Sequence, residues 1–235
     1  GTSGWCSNAS CDSNWKYRKK ITFNNTDANL GVTSENLVNF PVLVKLSSSN
    51  IDYTKTQDSG QDIRFTDTDG TDLAYEIEKW DETGTSWVWV KAPQIDINSS
   101  TDYIYLYYGN TSATDHQQVT SVWDSNYIAV WHLKESSGSI IDSTSNDNDL
   151  TIGGTPIYSA IGQVGSAVEF EKDNSATATR TSLTGQTGNN YTVEFWINPE
   201  SKYDYNEYLN NNGWNGYNIH DSAAGTLYAG NTPNR

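Results

Sequence analysis

In "DIRFTDTDGTDLAYEIEKW" (Asp62–Trp80), apolar and polar residues alternate on both sides of a turn. Alternation with a period of two places successive side chains on opposite faces of a β-strand. Residues 62–67 and 73–80 therefore predict two strands. The dipeptide Asp69-Gly70 between them is a strong signal for a two-residue hairpin. Together these features predict an antiparallel sheet.

The same alternation recurs along the chain, and no segment shows convincing helical periodicity. Further strands are predicted at residues 17–23, 40–46, 86–92, 102–109, 127–133, 166–171 and 191–198, with weaker runs near Tyr217 and Leu227. Many short strands separated by turn residues are typical of antiparallel sandwiches. We therefore expect an all-β protein with two antiparallel β-sandwich modules of jelly-roll type.

Composition narrows the class of protein. The 235 residues include 14 Lys and Arg against 29 Asp and Glu, a formal net charge of -15. Such a chain repels nucleic acid and anionic membranes, and it favours cations such as calcium. No apolar run approaches the roughly 20 residues of a membrane span. Since the chain contains no Met, we expect a processed form or an excised fragment.

The two cysteines, Cys6 and Cys11, lie close together in "GWCSNASC". A disulfide between them would close a small ring and stabilise the fold by about 2 kcal/mol at most. A zinc site would need further ligands, and no His is near in the sequence. We predict the disulfide, which implies an oxidising, extracellular location.

The first half of the chain resembles the family called domain of unknown function 2341, which occurs in surface and secreted proteins of bacteria and archaea. The resemblance lies in "WKYRKKITF", "NFPVLVKL", "GQDIRFTDTDGTDLAYEIEKWD", "WVWVKAPQI" and "TDYIYLYYGN", which follow one another in order. It implies architecture and location rather than an activity.

The second half resembles a concanavalin A-like, laminin-G-like jelly roll through "AVWHLKE", "DSTSNDNDL", "IGQVGSAVEF" and "YTVEFWINPE". This resemblance implies two stacked sheets and carbohydrate or protein binding, in some members with calcium. Fewer residues remain than a complete jelly roll uses. We expect a fragment, a module completed by strands from another chain, or a compact variant.

These features predict four segments. They are a disulfide-ring segment (1–12), a module like domain of unknown function 2341 (13–110), a polar linker (111–122) and a partial concanavalin A-like module (123–235).

Two groups of residues have side chains that suit catalysis, but neither is predicted to be catalytic. His132 next to Glu135 has the composition of a general base and its helper, but no nucleophile with a sharp glycine turn accompanies it. We interpret His132 as a strand residue at the sandwich surface. Two carboxylate pairs, Glu76 with Glu78 and Glu169 with Glu171, each share one strand face. We interpret both pairs as solvated polar faces rather than as the paired acids of a glycosidase.

Two Asp-rich segments have oxygen ligands that suit calcium. In "DTDGTD" (67–72) the hairpin interpretation is favoured over a calcium loop. "DSTSNDND" (142–149) is predicted as a candidate calcium site with Asp142, Asn146, Asn148 and Asp149 as ligands. The alternative for this segment is a turn whose Asp and Asn side chains bind their own backbone.

The C-terminal region combines aromatic rings with amides, the residue types that stack on sugar rings and hydrogen-bond to sugar hydroxyl groups. The candidate glycan-binding residues are Tyr205, Tyr208, Trp214, Asn215 and Tyr217. The alternative is a loop whose aromatic side chains cover the core.

We therefore expect a non-catalytic, extracellular recognition or adhesion module of a cell-surface or secreted protein. The expected partner is a glycan or a cell-surface protein, not nucleic acid, and calcium is the one candidate cofactor. Two alternatives stay open. The chain could be a filament or pilus subunit completed by a strand from a neighbouring copy, or the accessory binding part of a polysaccharide-degrading enzyme.

Overall fold

In the computed structural model of the chain, the described residues are 14–26, 35–185, 191–199, 207–210, 217–221 and 227–231. The chain forms two compact units, Gly1–Thr187 and Gly188–Arg235. The predicted disulfide between Cys6 and Cys11 lies outside the described residues.

The first unit is built from short antiparallel strands. In chain order they are β1 (Tyr17–Thr22), β2 (Leu37–Ser47), β3 (Arg64–Thr66), β4 (Asp72–Leu73), β5 (Tyr75–Lys79), β6 (Thr85–Ile95), β7 (Tyr103–Tyr108), β8 (Thr151–Gly153), β9 (Ile157–Ile161), β10 (Ser166–Glu169) and β11 (Thr177–Thr179). The first seven make two sheets, with orders β1-β7-β3-β4 and β2-β6-β5. The other four form two pairs, β10-β9 and β11-β8.

The two larger sheets enclose one apolar core. The inward side chains alternate with outward ones, as the sequence predicts. On β6 the inward residues Val88 and Val90 are fully buried, and on β7 so is Leu106. Tyr75 of β5 and Phe65 of β3 meet between the sheets, with ring centres 5.5 Å apart. The prediction of an all-β, antiparallel sandwich is confirmed.

The predicted hairpin at Asp69-Gly70 forms, and its loop is one residue longer than expected. Asp67 donates its backbone N–H to the carbonyl of Thr71, and Gly70 donates to the carbonyl of Asp67. Three residues, 68–70, therefore make the loop. Gly70 has a φ of 87°, a conformation that glycine adopts without steric cost.

The segment after β7 differs from its prediction. A short helix, α1 (Val119–Val122), lies in the predicted linker. The predicted strand at 127–133 is reduced to one isolated bridge, between Trp131 and Asp142. Side chains take the place of a strand partner, since Asp142 accepts the N–H of Val130. Leu133, with a φ of 57°, ends the extended stretch.

The second unit contains a three-stranded sheet. Its strands are β12 (Glu207–Asn210), β13 (Tyr217–Asp221) and β14 (Leu227–Asn231), in the order β12-β13-β14. The weak predictions near Tyr217 and Leu227 are confirmed, as is β10 in the first unit. The predicted strand at 191–198 is wrong, because 191–199 contain no strand and each residue there is exposed. Alternation specifies a strand only where one face is buried.

Among the described residues, no helix combines the length and apolar character that crossing a membrane requires.

Candidate functional site

The outer face of the β2-β6-β5 sheet carries a buried cluster of ionisable side chains. Glu76 and Glu78 lie two residues apart on β5 and point away from the core. They are nevertheless only 1% and 6% exposed. The segment that follows β7 covers them, and it contributes Trp123 and His132 to the cluster. Burial of two neighbouring carboxylates is costly unless cations or hydrogen-bond donors meet them.

Both carboxylate oxygens of Glu76 have polar partners. Its Oε2 accepts a hydrogen bond from Trp123 Nε1 at 3.1 Å and lies 3.1 Å from His132 Nε2. Its Oε1 accepts from Lys134 Nζ at 2.7 Å and from Ser143 Oγ at 2.8 Å. The single carboxylate therefore ties four residues of the covering segment to β5.

Glu78 binds the other side of the histidine. Its Oε2 pairs with His132 Nδ1 and accepts a hydrogen bond from Trp89 Nε1 at 3.2 Å. The rings of Trp89 and Trp123 lie near the imidazole, with centres 6.2 and 5.7 Å from it and 5.2 Å from each other. The imidazole thus has a carboxylate at each nitrogen and two indoles, in contact with each other, close to its ring.

This environment shifts two pKa values in opposite directions. Burial lowers the pKa of His132, but the hydrogen bonds and negative charges of Glu76 and Glu78 outweigh it and raise that pKa to about 9. Burial raises the pKa of Glu76, and the hydrogen bonds and charges of His132 and Lys134 outweigh it, so that pKa falls to about 2. At neutral pH the pair formed by His132 and Glu76 is therefore ionised.

A histidine in this state cannot accept a proton as a general base, since both of its nitrogens already hold one. Glu135 does not assist it, because its Oε1 accepts the backbone N–H of Ile141. The interpretation of His132 as a surface strand residue is wrong, because its side chain is buried and only 7% of it is exposed. The solvated-face interpretation is likewise wrong for Glu76 and Glu78.

The second carboxylate pair has a different setting. Glu169 is half-buried at the end of β10, and Glu171 is exposed beyond that strand. Glu171 Oε2 accepts a hydrogen bond from Asn174 Nδ2 at 2.7 Å. The spacing of Glu169 and Glu171 predicts that they share one strand face. In the structure they do not, because β10 ends at Glu169.

The candidate calcium ligand Asp142 is buried, and its oxygens accept hydrogen bonds. Oδ1 accepts from the N–H groups of Val130 and Thr144, each at 2.9 Å. Oδ2 accepts from Thr144 Oγ1 at 2.7 Å and from Asn148 N at 2.9 Å. This carboxylate therefore organises the turn by binding its backbone.

The other three candidate ligands also bind the backbone. Asp149 Oδ1 accepts the N–H of Asp142 at 2.8 Å. The amides of Asn146 and Asn148 each donate to the carbonyl of Ile128. Within 14–26, 35–185 and the shorter described stretches, no three His, Cys, Asp or Glu residues are grouped to hold a metal ion. These contacts favour the turn interpretation, and calcium binding stays a prediction.

The outer face of the opposite sheet is organised differently. Tyr103, Tyr105 and Tyr107 alternate along β7 with the core residues Ile104 and Leu106. Their ring centres are 5.3 and 6.2 Å apart, and neighbouring rings are inclined at 74° and 59°. The three tyrosines thus make a row along one strand.

Cations of β1 lie over these rings. Lys20 Nζ is 3.7 Å from the ring centre of Tyr103. The guanidinium carbon of Arg18 is 4.1 Å from the ring centre of Tyr105 and 6.0 Å from that of Tyr107. We call Arg18, Lys20, Tyr103, Tyr105 and Tyr107 the tyrosine face. Each cation leans diagonally across the antiparallel pair, because Thr22 and Lys20 are the direct neighbours of Tyr103 and Tyr105.

Arg64, on β3 of the same sheet, has a structural position. Arg64 Nη1 donates to the carbonyls of Gln61 and Ile63, and its Nη2 donates to that of Thr114. The ring of Trp15 lies 5.1 Å from its guanidinium carbon. Arg64 therefore ties loops to β3, whereas the cations of β1 lie on tyrosine rings.

The predicted glycan-binding residues of the C-terminal region are only partly described. Tyr208 is on β12 and half-buried, and Tyr217 begins β13, the neighbouring strand. Tyr205, Trp214 and Asn215 lie outside the described residues. Glycan binding by this group stays a prediction.

The profile of the family described as "Domain of unknown function (DUF2341)" matches residues 59–147. This match supports the resemblance predicted for the first half of the chain. It extends past residue 110, across the predicted linker, and includes every member of the buried cluster. The concanavalin A-like resemblance of the second half stays a prediction. No curated protein and no solved structure matches the chain.

The sequence analysis predicted neither the buried cluster nor the tyrosine face, although the tyrosine face has a recognisable sequence pattern. The alternation in "DYIYLYYG" places three tyrosines on one face of the predicted strand. Their pairing with the cations of "YRKKITF" depends on β1 lying beside β7, about 85 residues away in the chain. The buried cluster left no comparable signal, since its members are spread from Glu76 to Ser143.

Proposed function

We propose that this chain is a non-catalytic recognition module of a secreted or cell-surface protein, and that it binds carbohydrate through the tyrosine face. The supporting observation is the row of three tyrosines with cations over their rings on the outer face of a rigid sheet. Tyrosine combines an apolar ring with a hydroxyl, and lysine and arginine add N–H donors. Sugars need this combination, since they present C–H groups and hydroxyls together.

The rigidity of the sheet favours binding. β7 is paired on both sides, with β1 and with β3. Its inward residues Ile104 and Leu106 are buried in the core. Side chains on such a strand lose little further freedom when a ligand binds, which reduces the entropic cost.

Location outside the cell is part of the same proposal. It is supported by the close spacing of Cys6 and Cys11, which suits a disulfide, and by the strongly acidic composition. The match to the family profile agrees with the resemblance from which a surface location was predicted.

A glycan array with the full chain tests the proposal. We expect binding to at least one class of glycan, and loss of that binding in Tyr105→Leu. The matched control is Trp87→Leu, which removes an aromatic ring paired with a lysine on the other sheet. No binding to any glycan, with self-association of the chain in sedimentation, would contradict the proposal and favour the filament alternative.

A further inference from the structure

We infer that the ligand of the tyrosine face is a polysaccharide that carries carboxylate groups, of the uronic acid class. This inference rests on the proposed carbohydrate binding and adds the chemical class of the sugar. It is carried by the charges of β1 and by their position over the tyrosine rings.

The charge of this face opposes that of the whole chain. The formal net charge is -15, yet two cations of β1, Arg18 and Lys20, lie on this face. Lys19, between them, is paired with the core residue Leu106 and points to the other side of the sheet. Neither β1 nor β7 contains an acidic residue. Two carboxylates lie at the ends of β7, and both accept backbone hydrogen bonds: Asp102 Oδ2 from the N–H of Asp96, and Asp62 Oδ2 from the N–H groups of Gly109 and Asn110. An anionic ligand is therefore attracted to the side of the sheet formed by β1 and β7.

The tyrosine rings orient the two cations before any ligand arrives. Arg18 lies between Tyr105 and Tyr107, and its Nη1 is 3.5 Å from the Tyr107 hydroxyl. Lys20 lies over Tyr103. A guanidinium presents a planar fork of donors that matches a carboxylate, and holding it in place lowers the cost of binding.

The repeat of the face fits a polymer. Tyrosines two residues apart on a strand are spaced about 6.6–6.8 Å along it, and Arg18 and Lys20 follow the same period on β1. A chain of uronic acid residues lying along the strands therefore meets alternating cations and ring edges. A neutral polysaccharide would use the ring edges and hydroxyls alone.

The test measures binding of the full 235-residue chain to a hexamer of galacturonic acid and to the same hexamer with its carboxyl groups methyl-esterified. We expect the acidic hexamer to bind at least about tenfold more tightly in calorimetry, and its affinity to fall as ionic strength rises above about 0.1 M. Esterification keeps the sugar rings and removes the charge, so the ratio isolates the carboxylates.

The double variant Arg18→Gln/Lys20→Gln should weaken binding of the acidic hexamer at least about tenfold. Lys45→Gln is the matched control, because Lys45 lies over the ring of Trp87 in the other sheet, with its Nζ 5.3 Å from the ring centre. It should leave the affinity unchanged. Urea denaturation of each variant checks that the fold is intact.

Several outcomes would overturn the inference. These are equal affinity for the two hexamers, an unchanged double variant, a preference for a sulfated oligosaccharide, or equally tight binding of poly-glutamate. Binding of only neutral glycans would overturn the uronic acid class and leave the proposed function standing. Binding of no glycan would remove both.

Discussion

The two outer faces of the sandwich treat charged side chains in opposite ways. On the β2-β6-β5 sheet, outward carboxylates are buried beneath a covering segment and paired with His132 and Lys134. On the β1-β7-β3-β4 sheet, outward cations lie on tyrosine rings, and Lys20 is exposed. Strand alternation is the same on both faces. The environment of an outward charge therefore depends on which side chains pack against it.

The largest expected loss of stability comes from removing the carboxylate of Glu76 from the buried cluster on the β2-β6-β5 sheet. Glu76→Ala leaves His132 and Lys134 with less compensation in a buried site, so it should lower the free energy of unfolding by about 3–5 kcal/mol. Urea denaturation measures this change. Lys79→Ala, which removes an exposed ion pair on the same strand, should leave stability close to that of the unmodified chain. A loss below about 1 kcal/mol for Glu76→Ala would contradict this prediction, because it is the size expected for an exposed surface ion pair.

The Asp142 turn, which holds the covering segment in shape, gives the next effect. Asp142→Ala leaves the backbone N–H groups of Val130, Thr144 and Asn148 without their acceptor, so we expect a loss of about 2–3 kcal/mol. Ser145→Ala, at an exposed position in the same turn, is the control. We expect the same loss in calcium and in chelator. A loss confined to calcium-containing buffer would support the calcium prediction instead.

The shifted pKa values of His132 and Glu76 should also make the free energy of unfolding depend on pH. The pKa of His132 is raised from 6.5 to about 9, so its contribution is full below pH 6.5 and is lost as pH rises through 9. The pKa of Glu76 is lowered from 4.5 to about 2, so its contribution is full above pH 4.5 and is lost as pH falls towards 2. Stability should be highest between these limits, in urea unfolding measured against pH.

Two variants test the two groups separately. His132→Gln should reduce the loss of stability as pH rises towards 9, and Glu76→Gln should reduce the loss as pH falls towards 2. A loss at alkaline pH that persists unchanged in His132→Gln would show that another group causes it.

The smallest effect is expected on the tyrosine face. Lys20→Gln removes one cation–π contact at an exposed position, so it should cost about 0.5–1 kcal/mol. Thermal and urea unfolding would both detect a larger loss. A loss as large as that of Glu76→Ala would mean that the tyrosine face is structural, and the contrast between the faces would fail.

Sequence patterns predict the sandwich well, for a local reason. The period of two in β2, β5, β6 and β7 specifies which residues enter the core, and Asp69-Gly70 marks the hairpin. Where the backbone is held by side chains instead, as Val130 is by Asp142, the same alternation at 127–133 predicts a strand that does not form.

The sites depend on contacts that no local pattern encodes. Glu76 meets His132 across 56 residues and Ser143 across 67, so the burial of its carboxylate follows from packing and not from "YEIEK". The tyrosine row, by contrast, follows directly from alternation. Only its cations required knowledge of which strand lies beside β7.

One further consequence follows from the place of β1 at the rim of its sheet. An outermost strand leaves one row of backbone N–H and C=O groups unpaired within the described sheet, and such a row can template pairing with another molecule. Arg18, Lys19 and Lys20 line that rim with positive charge. Two copies approaching rim to rim would bring six cations together. The positive charge of β1 thereby opposes pairing of two copies through this strand.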